Sequence, residues 1–114
     1  MDDRPTTPYE TFAQLDIRVG QICQAEPFAA ARKPAYQLQI DFGPLGIKKS
    51  SAQITQRYTP EQLVGRRVVA VVNFPPRQIA NFMSEVLVLG VVPEAGDVVL
   101  LTPDAEVPLG SRVL

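Results

Sequence analysis

An all-β domain is predicted for this 114-residue chain by three features: short runs in which apolar and polar residues alternate, Gly- and Pro-rich breaks between those runs, and no long segment with helical periodicity. A chain of this length falls in the range of one domain with one core. A single unit over residues 1–114 is therefore expected, with an N-terminal helix or arm over 1–14 and a C-terminal extension over 93–114. Hydrophobic content of 46% excludes a disordered chain, and the apolar run from Val86 to Val92 is far too short to span a bilayer.

The elements follow in order. TTPYETFAQL places Thr7 to cap a helix, Pro8 at its first turn and Glu10 to complete a capping box, which predicts a helix over Pro8–Ala13 with Tyr9 and Phe12 on one face. LDIRVGQI alternates Leu15, Ile17 and Val19 with Asp16, Arg18 and Gly20, the period of a half-buried strand, and Gly20 within it predicts a bend or bulge. Cys23 is expected as a small core residue. YQLQIDF is the clearest strand: Tyr36, Leu38, Ile40 and Phe42 face one way, Gln37, Gln39 and Asp41 the other. FGPLG is a turn, and IKKSSAQIT a third strand.

TPEQL repeats the capping logic with Thr59 as cap, Pro60 at the first position, Gln62 three residues on and Gly65 as the stop. RRVVAVVNF, SEVLVLGVV and DVVLLTP read as three more strands. Strand, strand, strand, short helix, strand, strand is the order of an OB-fold, a small five-stranded barrel, with Gly20 and Gly90 as points of curvature; periodicity alone leaves an SH3-like barrel open. Between two of these strands, NFPPRQIANFMS holds Pro75 and Pro76, which end the strand ladder near Asn73 and predict a stiff, pre-shaped loop.

Composition narrows the chemistry. With no histidine and one cysteine, neither a zinc site nor a Ser-His or Cys-His nucleophile can be assembled, so no metal, no cofactor and no enzymatic activity are expected. Net charge is −1, but residues 32–77 carry eight cations against two acids, a net of +6 between acidic flanks. That asymmetry predicts a basic face able to attract an anionic partner. The opening MDDRPTTPYE has acids and prolines where an export signal needs a basic patch and an apolar stretch, and a cytoplasmic location is expected.

The stretches FAQLDIRVGQI, GIKKSSAQIT and NFPPRQIANFMSEVLVLG resemble the tRNA-binding domain of free-standing dimeric tRNA-binding proteins and of the methionyl-tRNA synthetase C-terminus. ARKPAYQLQIDFG, SSAQIT and VVAVVNFPPRQIANFMSEVLVLG are more similar still to the CsaA family within that superfamily, cytoplasmic chaperone-like proteins of bacterial protein export. The resemblance implies an OB-fold, a homodimer joined through its terminal segments, and binding without chemistry. Its implied ligands are unfolded or signal-bearing polypeptides, the export ATPase as a possible further partner, and tRNA as the alternative. Where tRNA-binding domains carry an Asn-Leu-x-Pro-Arg-Lys-Met-Arg run, this chain has Asn73, Phe74, Pro75, Pro76, Arg77, Gln78, Ile79 and Ala80, so two of three cations are missing. A Ser-Gly pair of that pattern is replaced by Ala52 and Gln53, though Lys48 keeps its cation. Fewer phosphate contacts imply weak tRNA binding.

The expected binding residues are Lys48, Lys49, Ser50, Ser51 and Gln53 on the third strand, and Asn73, Phe74, Arg77, Phe82 and Ser84 in the proline-led loop. Cations and hydroxyls there suit a carboxylate, a phosphate or a peptide carbonyl, and the phenylalanines suit an apolar side chain.

Overall fold

The structure is a computed structural model that describes residues 3–94 and 96–114. Residues 1 and 2 of the arm expected over 1–14, and residue 95 of the extension expected over 93–114, lie outside them. The elements are α1 (Tyr9–Ala13), β1 (Ile17–Pro27), β2 (Tyr36–Asp41), a 3-10 turn (Gly43–Leu45), β3 (Ile47–Ala52), α2 (Pro60–Leu63), β4 (Arg67–Val71), β5 (Arg77–Ile79), β6 (Phe82–Ser84), β7 (Leu87–Val88), β8 (Gly90–Val91) and β9 (Val99–Leu100). Five strands in the order β3-β2-β1-β4-β7, all neighbours antiparallel, form a nearly closed barrel of OB type. The seam between β3 and β7 is bridged by Glu85 and Val86, whose amides donate to the Lys49 carbonyl at 2.8 and 3.3 Å.

The inward face follows the alternation read from YQLQIDF. Leu38, Ile40 and Phe42 are fully buried with Ile22, Val68 and Ala70, and Leu63 of α2 plugs one end. Thr59 and Gln62 make the reciprocal capping box that the sequence predicts, which starts α2 and so aims Leu63 inward. Thr59→Ala should therefore lower the unfolding free energy by about 1 kcal/mol in urea titration. The box expected at α1 does not form: Pro8 is the cap residue, and the Thr7 hydroxyl bonds the Thr11 hydroxyl at 2.9 Å instead.

β1 departs from the expectation in two places. Gly20 is not a bulge; it sits where the chain crosses the core, and a Cβ there would lie 2.6 Å from Ile40 Cγ2 and 2.7 Å from Phe42 Cε1. Cys23 follows inward-facing Ile22, lies at the register shift between Ile22 and Gln24, and is exposed rather than in the core. β1 is also completed from the far end of the chain. Gly110 N–H donates to the Val19 carbonyl, Val19 N–H to Ser111 and Val113 N–H to Ile17, each at 2.8–2.9 Å. Arg67 holds the same segment through the Val107 carbonyl and, at 3.7 Å, the Glu106 carboxylate.

SEVLVLGVV is not one strand. β7 pairs with β4, the chain turns at Leu89, and β8 pairs with β9 in a separate hairpin. Nor is residues 75–84 a stiff open loop: β5 and β6 form a two-stranded hairpin turning at Ala80 and Asn81, with Ala80 at φ 52°. Among the described residues, no helix is long and apolar enough to cross a membrane.

Candidate binding site

The β5–β6 hairpin and the residues after it lie along the free edge of β3. Ser51 N–H donates to Ser84 Oγ at 3.0 Å, and Lys49 N–H to the Glu85 carboxylate at 2.9 Å, so side chains of the 84–85 segment satisfy the amides that β3 leaves open at its edge. Phe82 anchors the hairpin: its ring lies edge-on to buried Phe28 at 5.4 Å, and Lys49 Nζ sits 5.3 Å above it.

Three hollows lie around this hairpin, and Ser51, Arg77 and Ile79 line all of them. The first, about 490 Å³, lies between the hairpin and the β1–β2 loop and adds Arg32, Lys33 and Gln53. The second, about 300 Å³, adds Phe74, Pro75, Ser84, Glu85 and Leu87. The third, about 280 Å³, lies against Gln53, Ile54 and Val98. Five of the ten expected residues thus converge: Ser51, Gln53, Phe74, Arg77 and Ser84.

The others are placed differently. Ser50 is fully buried, and its hydroxyl donates to the Val86 carbonyl at 2.9 Å; it closes the barrel seam and is out of a ligand's reach. Asn73 ties α1 to the barrel, accepting from Asp16 N–H and donating to the Gln14 carbonyl, both at 2.8 Å. Phe82 and Lys49 spend their contacts on holding the hairpin. Lys48 pairs with inward-facing Ile40, on the face opposite Lys49, because successive strand residues alternate; the two lysines do not share a face.

The +6 segment is likewise divided. Arg57 pairs with Asp97 at 2.6 Å, Arg66 stacks on Tyr58 at 4.9 Å, and Arg67 holds the C-terminal segment, so none of the three lines a hollow. Arg32, Lys33 and Arg77 remain exposed. Of these the sequence singled out Arg77 alone. Arg32 and Lys33 sit in an aperiodic loop, and their presence within the basic segment was the one signal available.

The family model "Putative tRNA binding domain" matches residues 17–112. The chain belongs to the tRNA-binding domain family. Among solved structures of the family's fold, it is similar to the chaperone CsaA from Bacillus anthracis, at 58% identity and a TM-score of 0.92, with 96% of this chain and 100% of that one covered. It is similar also to CsaA from Picrophilus torridus, at 51% identity and a TM-score of 0.89 over the same shares. A methionine–tRNA ligase from Methanothrix thermoacetophila is 39% identical over 111 residues, which is 97% of this chain and 16% of the ligase. The chain spans about one sixth of the length of the methionine–tRNA ligases it matches. The family match and the CsaA neighbours point to a non-catalytic binding module.

Proposed function

We propose that the whole chain, residues 1–114, acts as a non-enzymatic, chaperone-like binding module that holds unfolded or precursor polypeptides in the cytoplasm for export. The observation that carries this is the hairpin groove: apolar walls from Phe74, Ile79, Leu87 and Val98 lie beside exposed cations, with Arg77 common to every hollow. Similarity to two CsaA chaperones supports it. A permanently unfolded polypeptide, such as reduced and carboxymethylated lactalbumin, should bind the full chain in calorimetry at ~150 mM salt; no heat of binding at any concentration up to the millimolar range would reject the reading. Delivery to an export ATPase is part of the same proposal, to be read by co-sedimentation.

A tRNA-binding role is the second reading, favoured by the family match and by three cations around one hollow. Neutralising about three phosphates gives a slope of log K against log salt of roughly −2 to −3. Binding to tRNA is therefore expected at low salt and largely lost near physiological ionic strength. Tight tRNA binding at ~150 mM salt would reverse the order of the two readings.

The module acts, in this proposal, as a homodimer. Tyr9 and Phe12 on α1 are 70% and 36% exposed with their tilted rings 6.1 Å apart, an apolar pair that nothing covers among the described residues. The C-terminal segment contributes less than its sequence promises, since Val107, Leu109 and Val113 are half-buried against the chain's own barrel. Light scattering should give twice 12.5 kDa at micromolar concentration, and Tyr9→Glu with Phe12→Glu should give the monomer mass with an unchanged circular dichroism spectrum. A wild-type mass of 12.5 kDa would reject the dimer.

A further inference from the structure

The groove is electrically uneven along its length. The first hollow is lined by Arg32, Lys33 and Arg77 with no carboxylate among its lining residues, and its remaining walls are alanines, Ile79, Ser51 and Gln53. In the second hollow Arg77 is balanced by Glu85, and the walls are apolar, from Phe74, Pro75, Val86 and Leu87. Among the described residues, Arg32, Lys33 and Arg77 make no ion pair. An anion entering the first hollow therefore meets unneutralised donors, whereas a cation meets repulsion.

The first hollow also lacks any aromatic lining residue. Phe82 and Phe28, which pack together at the hairpin, are turned against each other, and Lys49 Nζ sits over the face of Phe82. Within the first hollow a nucleobase has no ring to stack on, since the exposed ring that shares Arg77, Phe74, lines the second, and base stacking is a main source of affinity for single-stranded nucleic acid. An Asp or Glu side chain needs no such platform.

We infer that the groove selects polypeptide segments in which an acidic residue lies next to a large apolar one: the carboxylate seats among Arg32, Lys33 and Arg77, and the apolar side chain seats in the hollow of Phe74 and Leu87. This rests on the polypeptide-binding reading and narrows it. It has a consequence for export substrates. A signal peptide begins with a basic region, which the first hollow repels, so the segments held are acidic–apolar stretches elsewhere in the precursor.

Three fluorescein-labelled 15-residue peptides with identical apolar residues, and with aspartate, glutamine or lysine at the remaining positions, are titrated with the full-length protein and followed by anisotropy at ~150 mM salt. The acidic peptide should bind about tenfold tighter than the neutral one, the contribution of one charge-assisted hydrogen-bonded pair, and the basic peptide more weakly than either. Arg32→Glu with Lys33→Glu, two exposed loop positions, should invert that order while leaving the circular dichroism melt unchanged. Equal affinity for all three peptides, or preference for the basic one, overturns the inference and leaves the polypeptide reading standing. Failure of every peptide to bind, with tRNA bound by the same protein, overturns both.

Discussion

Phe42→Ala is expected to lower the unfolding free energy by about 3–5 kcal/mol, a large share of the total stability of a small domain. The ring is fully buried at the end of β2, in contact range of the bare Cα of Gly20 in the neighbouring strand. The Phe42 backbone accepts no substitute position either, since its amide donates to the Gly46 carbonyl at 3.0 Å and so closes the turn that follows. Removing the ring leaves a cavity that a hydrogen-bonded barrel cannot collapse to fill. Urea titration should show the midpoint falling with the slope unchanged. The two positions should also couple. Gly20→Ala forces a Cβ to 2.7 Å from the Phe42 ring in the parent protein, and part of that cost should disappear in the Phe42→Ala background. Strict additivity of the two changes would show that the ring and the glycine do not share the space.

Arg77→Glu should weaken binding of an unfolded polypeptide by about 30-fold or more, the loss expected of a central arginine anchor. Arg77 lines all three hollows, and as an exposed residue on β5 it contributes little to the core. The melting temperature should therefore stay where it is. Arg77→Lys is the informative partner: it keeps the charge but loses the planar fork, so partial recovery would assign the effect to charge and none to bidentate geometry. An unchanged affinity for Arg77→Glu would remove the hairpin groove as the binding surface.

The barrel was legible because its strands are half-buried, and half-burial writes itself as a period of two. Tyr36 to Phe42 could be assigned residue by residue for that reason, and the Thr59–Gln62 box because its two hydrogen bonds are local. What failed had both local and long-range causes. Thr7 has the residues of a capping box around it, yet a hydroxyl four residues on competes for it. Cys23 was placed inside because a lone free cysteine is most often a small core residue, whereas here its neighbour Ile22 takes the inward side and Cys23 faces out. The β5–β6 hairpin escaped notice because its turn is Ala80-Asn81 rather than a glycine pair, with alanine taking a positive φ. The binding site was half legible: residues on the hairpin stood out by their unusual composition, whereas Ser50, Lys48 and Asn73 were separated from it by strand alternation and by long-range hydrogen bonds.

The strand pairing between β1 and residues 110–113 has a kinetic meaning. Nearly the whole chain lies between Arg18 and the Gly110 carbonyl it reaches, a separation of 92 residues. Contacts of such long range carry a loop-closure cost that must be met before they stabilise anything, which places folding in the slower range of small β proteins. On the ribosome the first half of β1 is made well before the segment that covers its outer edge, which emerges only after residue 113. During that interval the nascent chain carries an open strand edge at Ile17 and Val19, able to pair with another nascent copy. A protein that we propose to hold unfolded chains is thus itself, until residue 113 is made, a chain in need of shelter.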